Sequence, residues 1–184
     1  MSYATGNAAT VPDLHYLQTR NRTAPIRVLM VCMGNICRSP TAHGVLERYI
    51  AQAGLQQLIE VDSAGTHAYH VGEPPDKRSQ SHALLRGFDL QHQRARQVKA
   101  VDLMESDVVL VMDQPNETAV RALAQTVSGP DVQHKIMRLA AFATRHQAHE
   151  VPDPYYGGDK GFDYVLDLVE DACQNLLDQL KAYA

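Results

Sequence analysis

VLMVCMGNICRSPTAHGVL, residues Val28 to Leu46, is the stretch on which the rest of the chain turns. From Arg27 to Val31 the sequence is largely apolar and β-branched, the pattern of a buried strand. From Pro40 onward Ala42, Val45, Leu46, Tyr49 and Ile50 recur at helical spacing. Between them lies CMGNICRS, Cys32 to Ser39, a strand-to-helix loop with a thiol at one end and a guanidinium near the other. A strand feeding such a loop and then a helix N-terminus builds an anion site. Backbone N–H groups turn inward and the helix dipole adds positive potential.

Each residue of the loop suits that chemistry. Cys32 opens it, where its sulfur faces the ring of amides. The thiolate is the nucleophile, and a neighbouring guanidinium and helix N-terminus favour that form of a cysteine. Arg38 offers a fixed fork for two oxygens of an oxyanion. Met33, Gly34, Asn35, Ile36, Cys37 and Ser39 supply the amides. Gly34 permits positive φ, and Asn35 is a non-glycine residue that tolerates the left-handed region. Ser39 is both a candidate N-cap and a hydroxyl within reach of a thiolate. Pro40 fits the first helical turn.

C-x5-R-S, here CMGNICRS followed by PTA, resembles the signature loop of the low-molecular-weight protein tyrosine phosphatases. The resemblance implies a small four-stranded parallel sheet with helices on both faces. The order of strands and helices agrees with such a doubly wound, single-domain α/β fold. It also implies hydrolysis of protein phosphotyrosine through a phosphocysteine on Cys32, with Arg38 holding the phosphoryl oxygens.

A second stretch, VPDPYYGG from Val151 to Gly158, gains meaning beside the first. An Asp between two prolines is held extended and cannot dissolve into a helix. A carboxyl group next to a phosphate dianion also holds a proton more readily. D-P-Y matches the family's general-acid motif, which gives Asp153 that role. Tyr155 and Tyr156 line the mouth of the site and are themselves potential phosphate acceptors. In the family, the aromatic residue of the loop after the second strand packs on the substrate ring, and Tyr69 stands there. An exposed loop tyrosine is the plainer reading of the same residue.

Elsewhere the pattern is less complete. Gln91 to Val98 resembles the family's H-x-A-R-Q segment, whose His supports the loop Asn. Here Gln93 holds that place, and His92 fits only with one residue inserted. Cys37, by the resemblance, forms a reversible disulfide with Cys32 that shields the nucleophile; an apolar loop filler is the alternative. Asp113, after the apolar run Asp107 to Met112, either borders the site or caps the next helix.

Further elements follow from periodicity and breakers. They are a helix to about Ala53 closed by Gly54, a strand from Leu58 to Val61, and a small-residue turn from Asp62 to Thr66. A Pro- and Gly-rich loop then runs from His67 to Asp76, followed by a helix from Lys77 to Arg86. A helix from Asn116 to about Val127 and a modest strand from Lys135 to Leu139 come next. An amphipathic helix from Gly161 to Ala182 carries Cys173 as core filling. Residues 1–24 are read as a mobile N-terminal extension ahead of one domain over 25–184.

The 184 residues and a net charge of −4 fit one α/β domain and argue against nucleic acid as a partner. Three cysteines without paired spacing suggest a reducing compartment, and no apolar run reaches membrane-spanning length. Together with an N-terminus lacking a signal-like h-region, this places the chain in the cytoplasm. The partners expected are a phosphotyrosine-containing protein, with tyrosine kinases among the candidates, and inorganic phosphate as product. No cofactor is called for, since the guanidinium and the amides compensate the charge. No metal is expected: the pairs His67 and His70, and His146 and His149, lack a third ligand at metal-site spacing.

Three alternatives share features of the loop. Arsenate reductases of this fold need downstream cysteines, and only Cys173 remains. Protein arginine phosphatases have Thr where Ile36 stands, and an apolar Ile suits a phenyl ring better than a guanidinium. A non-catalytic phosphotyrosine-binding module would keep Arg38 and the amides but has no use for both Cys32 and Asp153.

Overall fold

The computed structural model describes residues 11–20 and 23–184. Strand β1 (Ile26–Cys32) is apolar on both faces because it serves two cores. Ile26, Val28, Met30 and Cys32 enter one, and Leu29 and Val31 enter the other. Strand β3 (Val108–Val111) divides its side chains in the same way. With β2 (Ile59–Gly65) and β4 (Ile136–Arg138) they form one parallel sheet in the order β2-β1-β3-β4.

Helix α1 (Arg38–Gln52) and the long α5 (Asp159–Leu180) cover one face, and their apolar stripes share a core with Ala83 of α2 (Lys77–Leu85). The short α3 (Ala100–Glu105) and α4 (Gln114–Ala124) cover the other through Leu103, Val120 and Ala124. Cys173 lies wholly within the first core, as expected of a filler. From β1 the chain moves outward to β2, then returns to β3 on the opposite side of β1. The carboxyl ends of β1 and β3 therefore flank a topological switch point, where open α/β sheets bind ligands.

Three local expectations need correction. The residues Asp62 to Gly65 belong to β2 rather than to a turn, because the ladder with β1 continues to the pair Cys32–Gly65. The six-residue α3 was not anticipated; it is too short to show a period, and its start is fixed when Asp102 accepts from the Lys99 amide at 2.7 Å. Residues 11–20 depart from the expected mobile extension. A 3₁₀ turn, His15–Thr19, seats Leu14 and Leu17 in the first core, and the Tyr16 hydroxyl donates to the Asp107 carbonyl at 3.0 Å. The two buried leucines and the Tyr16 hydrogen bond tie the segment to the domain. The remainder of the expected extension, residues 1–10, lies outside the described residues.

Among the described residues no helix is long and apolar enough to cross a membrane. Leu17→Ala, which opens a cavity in the first core, is expected to lower unfolding stability by about 2–4 kcal/mol in a urea titration. A loss below about 0.5 kcal/mol would mean that the segment only rests on the surface.

Candidate active site

The loop after β1 curls around the Cys32 sulfur. The Asn35 amide donates to Sγ at 3.3 Å, and the Ser39 hydroxyl lies 3.1 Å from it. Asn35 holds the curl: it is the one non-glycine residue among those described with positive φ, at 55°. Its side-chain amide donates to Ser39 Oγ at 2.9 Å and to Ser63 Oγ at 3.0 Å, while its Oδ1 accepts from the Arg96 amide at 2.9 Å. Since Asn35 occupies an acceptor site on Ser39, the single hydroxyl hydrogen is left for Cys32 or for the Ala64 carbonyl at 3.3 Å.

Two sequence expectations for this loop change. Gly34 does not adopt positive φ. Its lack of a side chain matters because a Cβ there would stand 3.1 Å from His70. Ser39 is not the N-cap; that position is Cys37, and Ser39 lies inside the helix with its hydroxyl turned to the sulfur. Gly65, at the end of β2, carries a demand that went unseen. A Cβ there would sit 2.7 Å from the Met33 carbonyl oxygen, so the loop closes only against a bare backbone.

Neither His92 nor Gln93 supports Asn35. The Gln93 amide donates instead to the Pro40 carbonyl at 3.0 Å. The buried imidazole that joins this network is His43 of α1, whose Nδ1 lies 3.3 Å from Ser63 Oγ. Burial above all lowers the His43 pKa, to about 4, so the ring is neutral at neutral pH.

Arg38 is almost wholly buried and is aimed by residues distant in sequence. Its Nη1 pairs with Asp113 and donates to the Val151 carbonyl at 3.2 Å; its Nη2 donates to Asp153 at 3.1 Å. Burial opposes the charge, but Cys32, Asp113 and Asp153 outweigh it and the guanidinium pKa is raised. Asp113 performs both tasks left open by the sequence. One oxygen accepts from the Asn116 amide to cap α4, and the other pairs with Arg38.

The loop bearing Asp153 is pinned to the sheet where the Val151 amide donates to the Met112 carbonyl at 2.8 Å. Asp171 on α5 fixes the approach to it, accepting from the amides of Thr144, Arg145 and His146. Arg78 holds the far side, donating to the Tyr155 carbonyl at 3.0 Å and lying over the rings of Tyr155 and Phe162.

These elements enclose a cleft of about 240 Å³. Cys32, Met33, Gly34, Ile36, Cys37 and Arg38 form its floor, with Asp153 beside Arg38. Tyr69, His70, Tyr155 and Tyr156 form its walls. Every sequence-predicted site residue lines this cleft except Asn35 and Ser39, which brace the loop from behind. His70 was not among the predicted residues. A second hollow, near Arg27, Asp62 and Arg96, offers no unspent charge. Arg96 is already paired with Asp62 at 2.7 Å and Asp102 at 2.9 Å.

Residues 27–184 match the sequence profile of the low molecular weight phosphotyrosine protein phosphatases. The chain belongs to that family. It is 46% identical over 155 residues to a Synechocystis sp. protein bearing the low molecular weight protein-tyrosine-phosphatase name, covering 84% of this chain and 96% of that one. The crystal structure of an Entamoeba histolytica protein tyrosine phosphatase superposes with a TM-score of 0.80 at 37% identity, over 85% of this chain and 97% of that one. A Drosophila arginine phosphatase structure gives 0.78 at 29% identity, covering 85% and 98%.

Gly65→Ala is expected to weaken inorganic phosphate binding at least tenfold by calorimetry, because the Met33 carbonyl must retreat and turn the loop amides away. Unchanged affinity would show that the loop absorbs a methyl group at β2.

Proposed function

We propose that this phosphatase hydrolyses protein phosphotyrosine in two steps through a phosphocysteine on Cys32. The observation that carries the reading is the convergence of the Cys32 sulfur, the Arg38 fork and the Asp153 carboxyl on one cleft. The Cys32 thiolate, held by the Asn35 amide and the Ser39 hydroxyl, attacks phosphorus in line. The loop amides and Arg38 hold the equatorial oxygens as their charge redistributes. Asp153 gives its proton to the departing phenolic oxygen, then removes one from the water that releases inorganic phosphate.

Cys37 is not the nucleophile in this scheme. Burial, foremost, pushes its thiol up to about 12, so it stays protonated. All three cysteines are free and buried, which supports a reducing, cytoplasmic setting. Tyr69 is exposed and stacks on His67 with centroids 5.0 Å apart, leaving its other face for a substrate ring. Tyr155 and Tyr156 offer further aromatic surface opposite. A phosphotyrosine protein, tyrosine kinases included, is the partner these walls suit.

Cys32→Ser is expected to abolish p-nitrophenyl phosphate hydrolysis. Asp153→Asn should slow turnover by about 10²-fold or more for poor leaving groups and less for good ones. Equal slowing across leaving groups would mean that another acid operates. Capture of phosphotyrosine proteins by Asp153→Ala would identify the substrate.

The shared fold with an arginine phosphatase does not choose between phosphoramidate and phosphoester substrates. Ile36 does: it packs with Cys37, Ala95 and Phe162 and presents an apolar side chain to the cleft. Ile36→Thr is expected to lower the ratio of phosphotyrosine to phosphoarginine activity several-fold in paired assays. A constant ratio would leave the substrate class open to the arginine alternative.

A further inference from the structure

Beside α1, among side chains that do not line the cleft, two imidazoles and a carboxylate converge. His43 and Glu47 are four residues apart and so lie on one face of the helix. His92 comes from the turn after α2 and meets them. Its Nε2 is 3.2 Å from Glu47 Oε2, and its ring stands edge-on to that of His43 with centroids 6.1 Å apart. One donor atom from each of the three lies within 4.8 Å of the others.

We infer that His43, Glu47 and His92 form a binding site for a borderline divalent cation of the zinc class. Two nitrogens and one carboxylate oxygen match the donor preference of such ions, and three protein ligands leave a fourth position for water. Donors around a tetrahedral ion of this size sit about 3.4 Å apart. The exposed side chains of Glu47 and His92 need to close by only about 1–1.5 Å to reach that spacing.

The fixed member of the set is His43. Its ring is buried, and its Nδ1 is engaged with Ser63 Oγ at 3.3 Å, which leaves Nε2 to face the cation. Metal-bound imidazoles are oriented by such a partner on the second nitrogen. An ion on Nε2 places the ring proton on Nδ1, so that His43 donates to Ser63. Ser63 in turn accepts from Asn35, the residue that shapes the phosphate loop. An occupied site is thereby joined to the catalytic loop through two hydrogen bonds.

Titration of the full chain with Co²⁺ and with Zn²⁺, followed by calorimetry and by the visible spectrum of Co²⁺, tests the assignment. The catalytic thiol is the competing metal ligand, so Cys32→Ser is titrated in parallel. One equivalent is expected to bind in both proteins, with a nitrogen- and oxygen-ligated cobalt spectrum free of thiolate charge transfer. Glu47→Gln and His92→Gln, both at exposed positions, should each weaken binding at least tenfold while retaining phosphatase activity in metal-free buffer. Binding that disappears in Cys32→Ser, persists undiminished in both surface variants, or is absent from the parent protein would overturn the site.

Discussion

Asn35 occupies a left-handed conformation that an L-residue adopts at a cost of about 1–2 kcal/mol, and the active loop exists only because that conformation is held. What holds it is complete use of the side chain. Both amide hydrogens go to serine oxygens, and the carbonyl oxygen accepts a backbone amide from a distant segment. The backbone amide of the same residue then points at the Cys32 sulfur. Backbone strain and side-chain hydrogen bonding are thus coupled. The bonds offset the strain, and the strained turn aims an amide that an extended loop would send to solvent.

The second half of the site depends on a buried charge. A guanidinium removed from water is tolerated only where opposite charge and acceptors surround it. Asp113, the Val151 carbonyl and Asp153 meet that demand, and each comes from a segment that closes at the carboxyl edge of the sheet. The requirement of one arginine therefore fixes where the loop bearing Asp153 can run. The same logic explains Asp171, a buried carboxylate that gathers three consecutive amides and shapes the approach to that loop.

Much of this was legible in the residues. The apolar run from Val28 to Val31, the breaker at Gly54, and the loop CMGNICRS each act over a few residues, where backbone geometry and side-chain choice are directly linked. Other features were not. The carbonyl of Met33 excludes a Cβ at Gly65 only because β1 and β2 pair in one register. His43 reads as one more helical residue until Ser63 is brought against it. Leu14 and Leu17 are two apolar residues in a polar segment, and only the core they enter makes them structural.

By itself, the sequence determined the strand–loop–helix unit, the cysteine and arginine that its loop carries, and the presence of a proline-bound Asp. Tertiary structure decided which groups serve them: Asp113 lies 75 residues from Arg38 and Asp153 lies 115. Short-range sterics and hydrogen bonding set a loop's shape from adjacent residues. Which distant carboxylate neutralises a buried charge is instead set by strand order, register and the two cores, and those are properties of the whole packed chain.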